Sequence, residues 1–69
     1  MMSEYNETER GIVSILYTAG TPLPMERIAK QLKLSRITVK KYLSALKVGK
    51  IVNSKKIGRA VYWWLSAKN

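Results

Sequence analysis

The chain has 69 residues, of which 46% are hydrophobic and 25% charged, and its formal net charge is +9. This length and composition predict one small folded domain over residues 1–69, and no apolar run approaches the ~20 residues of a membrane span. The absence of cysteine and histidine excludes disulfides, thiolate zinc sites and a histidine base, so we expect neither a metal nor another cofactor.

A first helix is predicted over residues 6–19. Asn6 is a suitable N-cap, and Glu9 follows three residues later, as in a capping box. Gly20 is expected to end the helix, and Gly11 is unfavourable within it. One apolar stripe is formed by residues at 3- and 4-residue spacing: Ile12, Ile15, Leu16 and Ala19.

The segment from Thr21 to Pro24 is predicted to be extended or a tight connector, because each proline disfavours helical geometry in the residue before it. A second helix follows over residues 25–32. Pro24 suits its first position, where the missing N–H costs nothing. The inner face of this helix is expected to comprise Met25, Ile28, Ala29 and Leu32.

A third helix is predicted over residues 36–48, after a tight turn at Lys33 and Leu34. Ser35 is its N-cap candidate, since a serine hydroxyl can accept a backbone N–H near Thr38. Gly49 is expected to end it. The inward residues are Val39, Leu43 and Leu46, with Tyr42 beside them, and the opposite face carries Arg36, Thr38, Lys40, Lys41, Ser44 and Lys47.

The apolar spacing then changes from about 3.6 residues to 2, which predicts strands over residues 51–55 and 60–65 joined by a turn at 56–59. In the second strand, Val61, Trp63 and Leu65 share one face, expected to line the core. Tyr62 and Trp64 then lie on the outer face. The predicted fold class is α+β, mostly α, with three helices and a C-terminal two-stranded β-hairpin.

Charge is sorted along the chain. Residues 1–29 contain two basic and all four acidic residues, a sum of −2, whereas residues 30–69 contain eleven Lys and Arg and no acid, a sum of +11. Charges of one sign over more than half of a small domain repel one another unless a polyanion neutralises them. Nucleic acid is the commonest such polyanion. The alternatives are a merely soluble lysine-rich surface and the lysine bias of heat-adapted proteins, which usually add glutamate too.

The second and third helices, with the turn between them, form a helix-turn-helix unit whose second helix can lie in the DNA major groove. Arg36 is a candidate for a guanine edge, and Thr38 for a base edge or a thymine methyl. Lys40 and Lys41 can reach a base or a phosphate, although the pair can instead be an ordinary solvated face. Ser35 caps a helix N-terminus, which favours a phosphate.

The predicted hairpin turn brings three cations together within five residues: Lys55, Lys56 and Arg59. A two-stranded ribbon can place such a tip along the DNA backbone or in a minor groove. The narrow minor groove suits Arg59 in particular, because it concentrates negative potential.

Three runs of residues then occur in a familiar order: LSRITVKKYLSAL over 34–46, GKIV over 49–52, and GR at 58–59 leading directly into AVYWWL over 60–65. They resemble the winged helix-turn-helix domains of bacterial and archaeal transcription regulators and of viruses of these organisms, with ArsR- and MarR-type repressors closest in style. Those domains share a serine cap, "T-V" entering the recognition helix, "L-x-x-L" within it and "G-R" before an aromatic strand. The resemblance covers about residues 12–65.

The resemblance implies that Arg36, Thr38 and Lys41 face DNA and that Arg59, with Lys55 or Lys56, grips it through the wing. The chain departs from the family in two ways. It has Pro24 where relatives often have a hydroxyl or acidic cap, and it leaves no room after residue 65 for the long helices with which many relatives dimerise. It also has no metal-sensing cluster.

These observations predict a sequence-specific regulator that binds double-stranded DNA in the cytoplasm, associated with the nucleoid. The alternatives are a non-specific DNA- or RNA-binding architectural or partition-type protein, and a winged helix that binds another protein. An enzyme is not expected, because neither a nucleophile–base set nor a phosphate-binding Gly-rich loop is present. A homodimer through the first helix and the face of Tyr62 and Trp64 is expected, with a monomer as the alternative.

Overall fold

The computed structural model describes residues 6–66, which form three helices and a three-stranded antiparallel sheet. The elements in chain order are α1 (Glu7–Ala19), β1 (Leu23–Pro24), α2 (Met25–Leu32), α3 (Arg36–Val48), β2 (Val52–Ile57) and β3 (Ala60–Leu65). The sheet order is β1-β3-β2, with β3 in the centre. The predicted mostly helical α+β fold is confirmed, and the predicted two-stranded hairpin has a third strand beside it.

The third strand, β1, is where the sequence prediction was incomplete. Leu23 pairs with Trp63, and Pro24 pairs with Tyr62. Two residues are too few to show the alternation by which a strand is identified, so only the extended geometry around the prolines was predictable. Pro24 is also the N-cap of α2 rather than its first helical residue, and it makes no side-chain capping bond.

Helix α1 has the predicted capping box. The Asn6 side-chain oxygen accepts the Glu9 N–H at 2.8 Å, and the Glu9 carboxylate accepts the Asn6 N–H at 3.0 Å. Gly11, unfavourable by propensity, has a packing reason: a Cβ there would lie 3.2 Å from Leu32 Cδ2. Glycine therefore allows α1 to approach α2 closely.

The core lies between the helices and the sheet. Residues from all three helices and all three strands are buried in it: Ile12, Leu16, Leu23, Ile28, Ala29, Val39, Leu43, Leu46, Val52 and Trp63. The three α3 residues are completely buried, which fixes the rotation of that helix and leaves its opposite face to solvent. The prediction that Val61 lines the core is wrong: Val61 is 38% exposed, because it pairs with Lys56 toward the hairpin tip.

The wing, comprising β2, β3 and their turn, is longer than predicted. Strand β2 continues to Ile57, so the turn consists only of Gly58 and Arg59. Gly58 has a φ of +64°, a conformation that glycine adopts without strain. Lys55 and Lys56 accordingly lie within a paired strand, and Arg59 lies in the turn.

Candidate nucleic-acid interface

A three-residue turn, Lys33–Ser35, sets α3 against α2. Lys33 adopts a left-handed conformation with a φ of +58° at the end of α2. The Leu34 N–H then donates to the Ala29 carbonyl at 3.0 Å, which satisfies one of the last carbonyls of α2. The chain reverses here, and this reversal places the first turn of α3 beside the start of α2.

Ser35 is the N-cap of α3, as predicted. Its hydroxyl oxygen accepts the Thr38 N–H at 3.2 Å and its O–H donates to the Thr38 hydroxyl at 3.0 Å. Thr38 is half-buried. The two hydroxyls therefore hold each other and the first helical turn, and the Thr38 side chain lies close to the cap rather than reaching outward.

Arg36 forms an ion pair across the two helices of the helix-turn-helix unit. Its Nη1 donates to a Glu26 carboxylate oxygen at 2.8 Å, and the two side chains are 65% and 68% exposed. Such an exposed pair contributes at most about 1 kcal/mol to stability. Glu26 is the only acidic residue after Glu9, and the sequence predicted for it an interaction with the dipole of the second helix but not this pair with Arg36.

The remaining predicted site residues are all exposed. Lys40 and Lys41 lie one turn after Arg36 on α3, and Lys55, Lys56 and Arg59 lie on the wing. The structure thus gathers the site into two groups. Ser35, Arg36, Thr38, Lys40 and Lys41 occupy the first half of α3, and the three wing cations lie along the end of β2 and in its turn.

Lys47 has a different environment from the other α3 lysines. Its ammonium donates to the Ser54 hydroxyl at 2.9 Å and lies 6.0 Å from the centroid of the Trp63 ring. These contacts join α3 to the base of the wing, and the aromatic ring attracts the cation. Lys47 therefore helps to fix the wing relative to α3.

Two exposed apolar residues on α3 were not among the predicted site residues. Ile37 is 84% exposed and Val48 is 83% exposed. The signal for them was present in the sequence, since both lie opposite the inward set of Val39, Leu43 and Leu46 when the helix is drawn at 3.6 residues per turn.

An apolar groove of about 560 Å³ lies between the end of α1, the connector before β1 and the sheet. Tyr17, one of its walls, is 78% exposed, and Trp64 lines it as well. Tyr62 is partly buried and is not part of the groove as the structure describes it.

Residues 6–66 offer neither a metal site nor a membrane span. Within this range no group of three or more acidic side chains is arranged to hold a metal ion. No helix formed by these residues is long and apolar enough to cross a membrane.

No protein-family model and no curated protein matches the sequence. Solved structures do match. Reduced HlyU from Vibrio cholerae is 26% identical with a TM-score of 0.81, and covers 90% of this chain. The homodimeric winged helix-turn-helix DNA-binding domain of Mycobacterium bovis Mb0332, a possible ArsR-family regulator, is 26% identical with a TM-score of 0.81 over 90% of this chain.

A third match covers most of both chains. The Zalpha domain of Carassius auratus PKZ, solved in complex with Z-DNA, is 29% identical with a TM-score of 0.77, and the alignment covers 86% of this chain and 92% of that domain. The chain spans only 63% of the HlyU chain and 56% of the Mb0332 fragment. The chain has the winged helix-turn-helix fold of transcription regulators, as the sequence resemblance implied.

Proposed function

We propose that this domain binds double-stranded DNA and acts as a sequence-specific transcription regulator associated with the nucleoid. The main support is the exposure of every Lys and Arg from Lys30 to Arg59, ten cations in all. Only Glu26 opposes them in the sequence after Glu9. The Mb0332 and Zalpha domains, described as DNA-binding and as bound to Z-DNA, have the same fold and add support.

In this proposal α3 enters the major groove, which is wide enough for one helix. Arg36 contacts a guanine edge, while Lys40 and Lys41 contact phosphates or bases. The N-terminus of α3, capped by Ser35, receives a phosphate. The wing then lies along the backbone or in the minor groove through its three cations, Lys55, Lys56 and Arg59.

The proposal is tested by binding titrations on selected and scrambled duplexes at several salt concentrations. If one protomer neutralises about 5 phosphates, a plot of log affinity against log salt has a slope of about −4 to −5. A specific regulator prefers the selected duplex by at least about 10³-fold. A slope near zero would show that the cations do not meet phosphate and would favour a protein partner. A steep slope without preference would identify a non-specific binder.

A second candidate function is binding of the left-handed Z form of DNA. It is favoured by the Zalpha match, a domain solved in complex with Z-DNA that is 29% identical over 86% of this chain. Circular dichroism of an alternating CG duplex separates the two candidates. Inversion of the duplex spectrum on addition of protein would support Z-DNA binding, and a retained right-handed spectrum at saturation would support the major-groove proposal.

We propose further that two copies associate through α1 and the apolar groove. Antiparallel pairing of two α1 helices brings the acidic first turn of each, with Glu7 and Glu9, toward the groove of the other copy, which contains Lys55. Tyr17 and Trp64 supply the aromatic surface that favours such contacts. The Mb0332 domain, which has the same fold, is homodimeric, and this supports a dimer without specifying its interface.

Light scattering coupled to size exclusion tests the dimer. We expect a dimer mass for the wild type and a monomer mass for Tyr17→Lys, while Val48→Lys, which alters an equally exposed site on α3, stays dimeric. A wild-type monomer at tens of micromolar, unchanged by Trp64→Ala or by DNA, would rule the dimer out.

A further inference from the structure

We infer that Ile37 recognises the C5 methyl group of a thymine in the major groove. This inference rests on the proposed function and specifies what the recognition helix reads. It begins from the direction of the side chains on α3. Successive helical residues are rotated by about 100° around the axis, and Val39, Leu43 and Leu46 all point into the core.

The ridge directly opposite those three residues is the part of α3 farthest from the core. Counting around the helix places four residues on it, all exposed: Ile37, Lys41, Ser44 and Val48. Ile37 is the first of these from the N-terminus. In helix-turn-helix proteins the N-terminal residues of the recognition helix are the ones that contact base edges. Ile37 therefore occupies the position on this ridge closest to the bases.

Its two neighbours in sequence are turned to the flanks of the helix. In the unbound domain Arg36 is directed toward α2 by its ion pair with Glu26, at 2.8 Å, so in the proposed function it reaches its guanine from that flank of the helix. Thr38 is half-buried, and its hydroxyl accepts the Ser35 O–H at 3.0 Å. Of the three side chains with a methyl group in this turn, Val39 is buried in the core, Thr38 is held at the cap and Ile37 projects into solvent.

The chemistry of isoleucine limits what Ile37 can recognise. Its side chain has no hydrogen-bond donor or acceptor, so it gains nothing from a guanine or adenine edge or from a phosphate. Thymine presents a methyl group in the major groove, and contact with it removes apolar surface from water on both sides. A singly exposed isoleucine needs no explanation by itself, but this one lies between the cations proposed to contact DNA.

The test uses the full chain and a duplex selected from a random pool. Each thymine is replaced in turn by deoxyuridine, which differs only by the C5 methyl. We expect the wild type to lose about threefold to tenfold in affinity at one or two positions, the value of one buried methyl group. Ile37→Ala is expected to bind the thymine and uracil duplexes equally at those positions.

Val48→Ala is the matched control, because Val48 is as exposed as Ile37 and lies on the same ridge at the opposite end of the helix. It is expected to keep the wild-type preference for thymine. Equal wild-type binding of every thymine and uracil duplex, or a preference that survives in Ile37→Ala, would overturn the inference while leaving the proposed function intact. Absence of any preferred duplex would instead overturn the proposed function and this inference with it.

Discussion

Helices α1 and α3 have the same length and opposite outer surfaces. Each has 13 residues, begins at a residue whose side chain caps the first turn, and packs fully buried aliphatic residues against the same core. Outside the core the two differ. Helix α1 contains two glutamates and one arginine, a sum of −1, whereas α3 contains one arginine, three lysines and no acid, a sum of +4.

The first turns of the two helices show what this difference means. Helix α1 places Glu7 and Glu9 at its N-terminus, where negative charge interacts favourably with the helix dipole. Helix α3 has no acidic residue in its first turn and places Arg36 there, against the same preference. The fold requires similar inner faces of both helices. Glu26 of α2 pairs with Arg36, and the other cations of α3 suit an external anion, as the proposed function supplies.

The largest expected effect tests whether the two inner faces are equivalent. Leu43→Ala in α3 and Leu16→Ala in α1 should each lower the free energy of unfolding by about 2–5 kcal/mol, because both leucines are buried. Urea denaturation followed by circular dichroism measures the loss, with the exposed Val48→Ala as the control. A Leu43→Ala variant as stable as the wild type would mean that α3 is rotated differently.

The next largest effect distinguishes a residue that recognises a base from one that contacts only phosphate. Arg36→Ala should cost about 1–3 kcal/mol in DNA binding and relax the preference at one base position. Lys56→Ala should weaken all duplexes alike and flatten the salt slope by about 1, since it removes a phosphate contact. Titrations on a panel of single-base variants of the selected site measure both. Uniform weakening of the whole panel by Arg36→Ala would show that it does not read a base.

Substitutions at the two N-caps distinguish an effect on stability from an effect on DNA binding. Asn6→Ala and Ser35→Ala should each cost about 1 kcal/mol in stability, because each removes an acceptor for a helix N–H. Ser35→Asp keeps an acceptor and adds a negative charge where a phosphate is proposed. It should therefore melt like the wild type and bind DNA several-fold more weakly, as measured by thermal unfolding and titration. Undiminished binding by Ser35→Asp would place the phosphates elsewhere.

The smallest effect tests the ion pair between α2 and α3. Glu26→Gln should change stability by less than about 1 kcal/mol, because both partners are exposed. It removes a charge that repels phosphate and no longer orients Arg36, which can then contact phosphates of any sequence, so affinity for scrambled DNA should rise a few-fold and discrimination should fall. The ratio of affinities for selected and scrambled duplexes measures this, with Glu7→Gln on α1 as the control. An equal change of that ratio in both variants would argue against a specific role for Glu26.

Features encoded by neighbouring residues could be predicted from the sequence. The Asn6 and Ser35 caps depend on a side chain and an N–H three residues apart, and the inner face of α3 depends on spacing within one helix. The pair of Glu26 and Arg36 could not be predicted, because ten residues separate them and only the turn at Lys33–Ser35 brings them together. All eight predicted DNA contacts stay predictions.

The sheet shows the same limit. Alternation in β3 correctly placed Trp63 in the core, since neighbouring side chains point to opposite faces. The alternation could not show which part of β3 the helices pack against, and Val61 lies outside that part. Strand β1 could not be predicted either, because its pairing with β3 depends on how the chain folds back after α1.

Among residues 6–66, the order β1-β3-β2 leaves two sheet edges without a neighbouring strand, and each bears a feature that discourages aggregation. An uncovered edge offers unpaired backbone groups to other chains, and proline or lysine there hinders such pairing. The β1 edge is two residues long and ends at Pro24, and the β2 edge carries Lys55 and Lys56. Neutral replacements of these lysines remove that protection, so glutamine variants of the wing need a solubility check before any loss of DNA binding is assigned to a lost contact. Glutamate at the same positions keeps the edge charged and so preserves that protection, but it also repels phosphate and therefore does not isolate the lost contact.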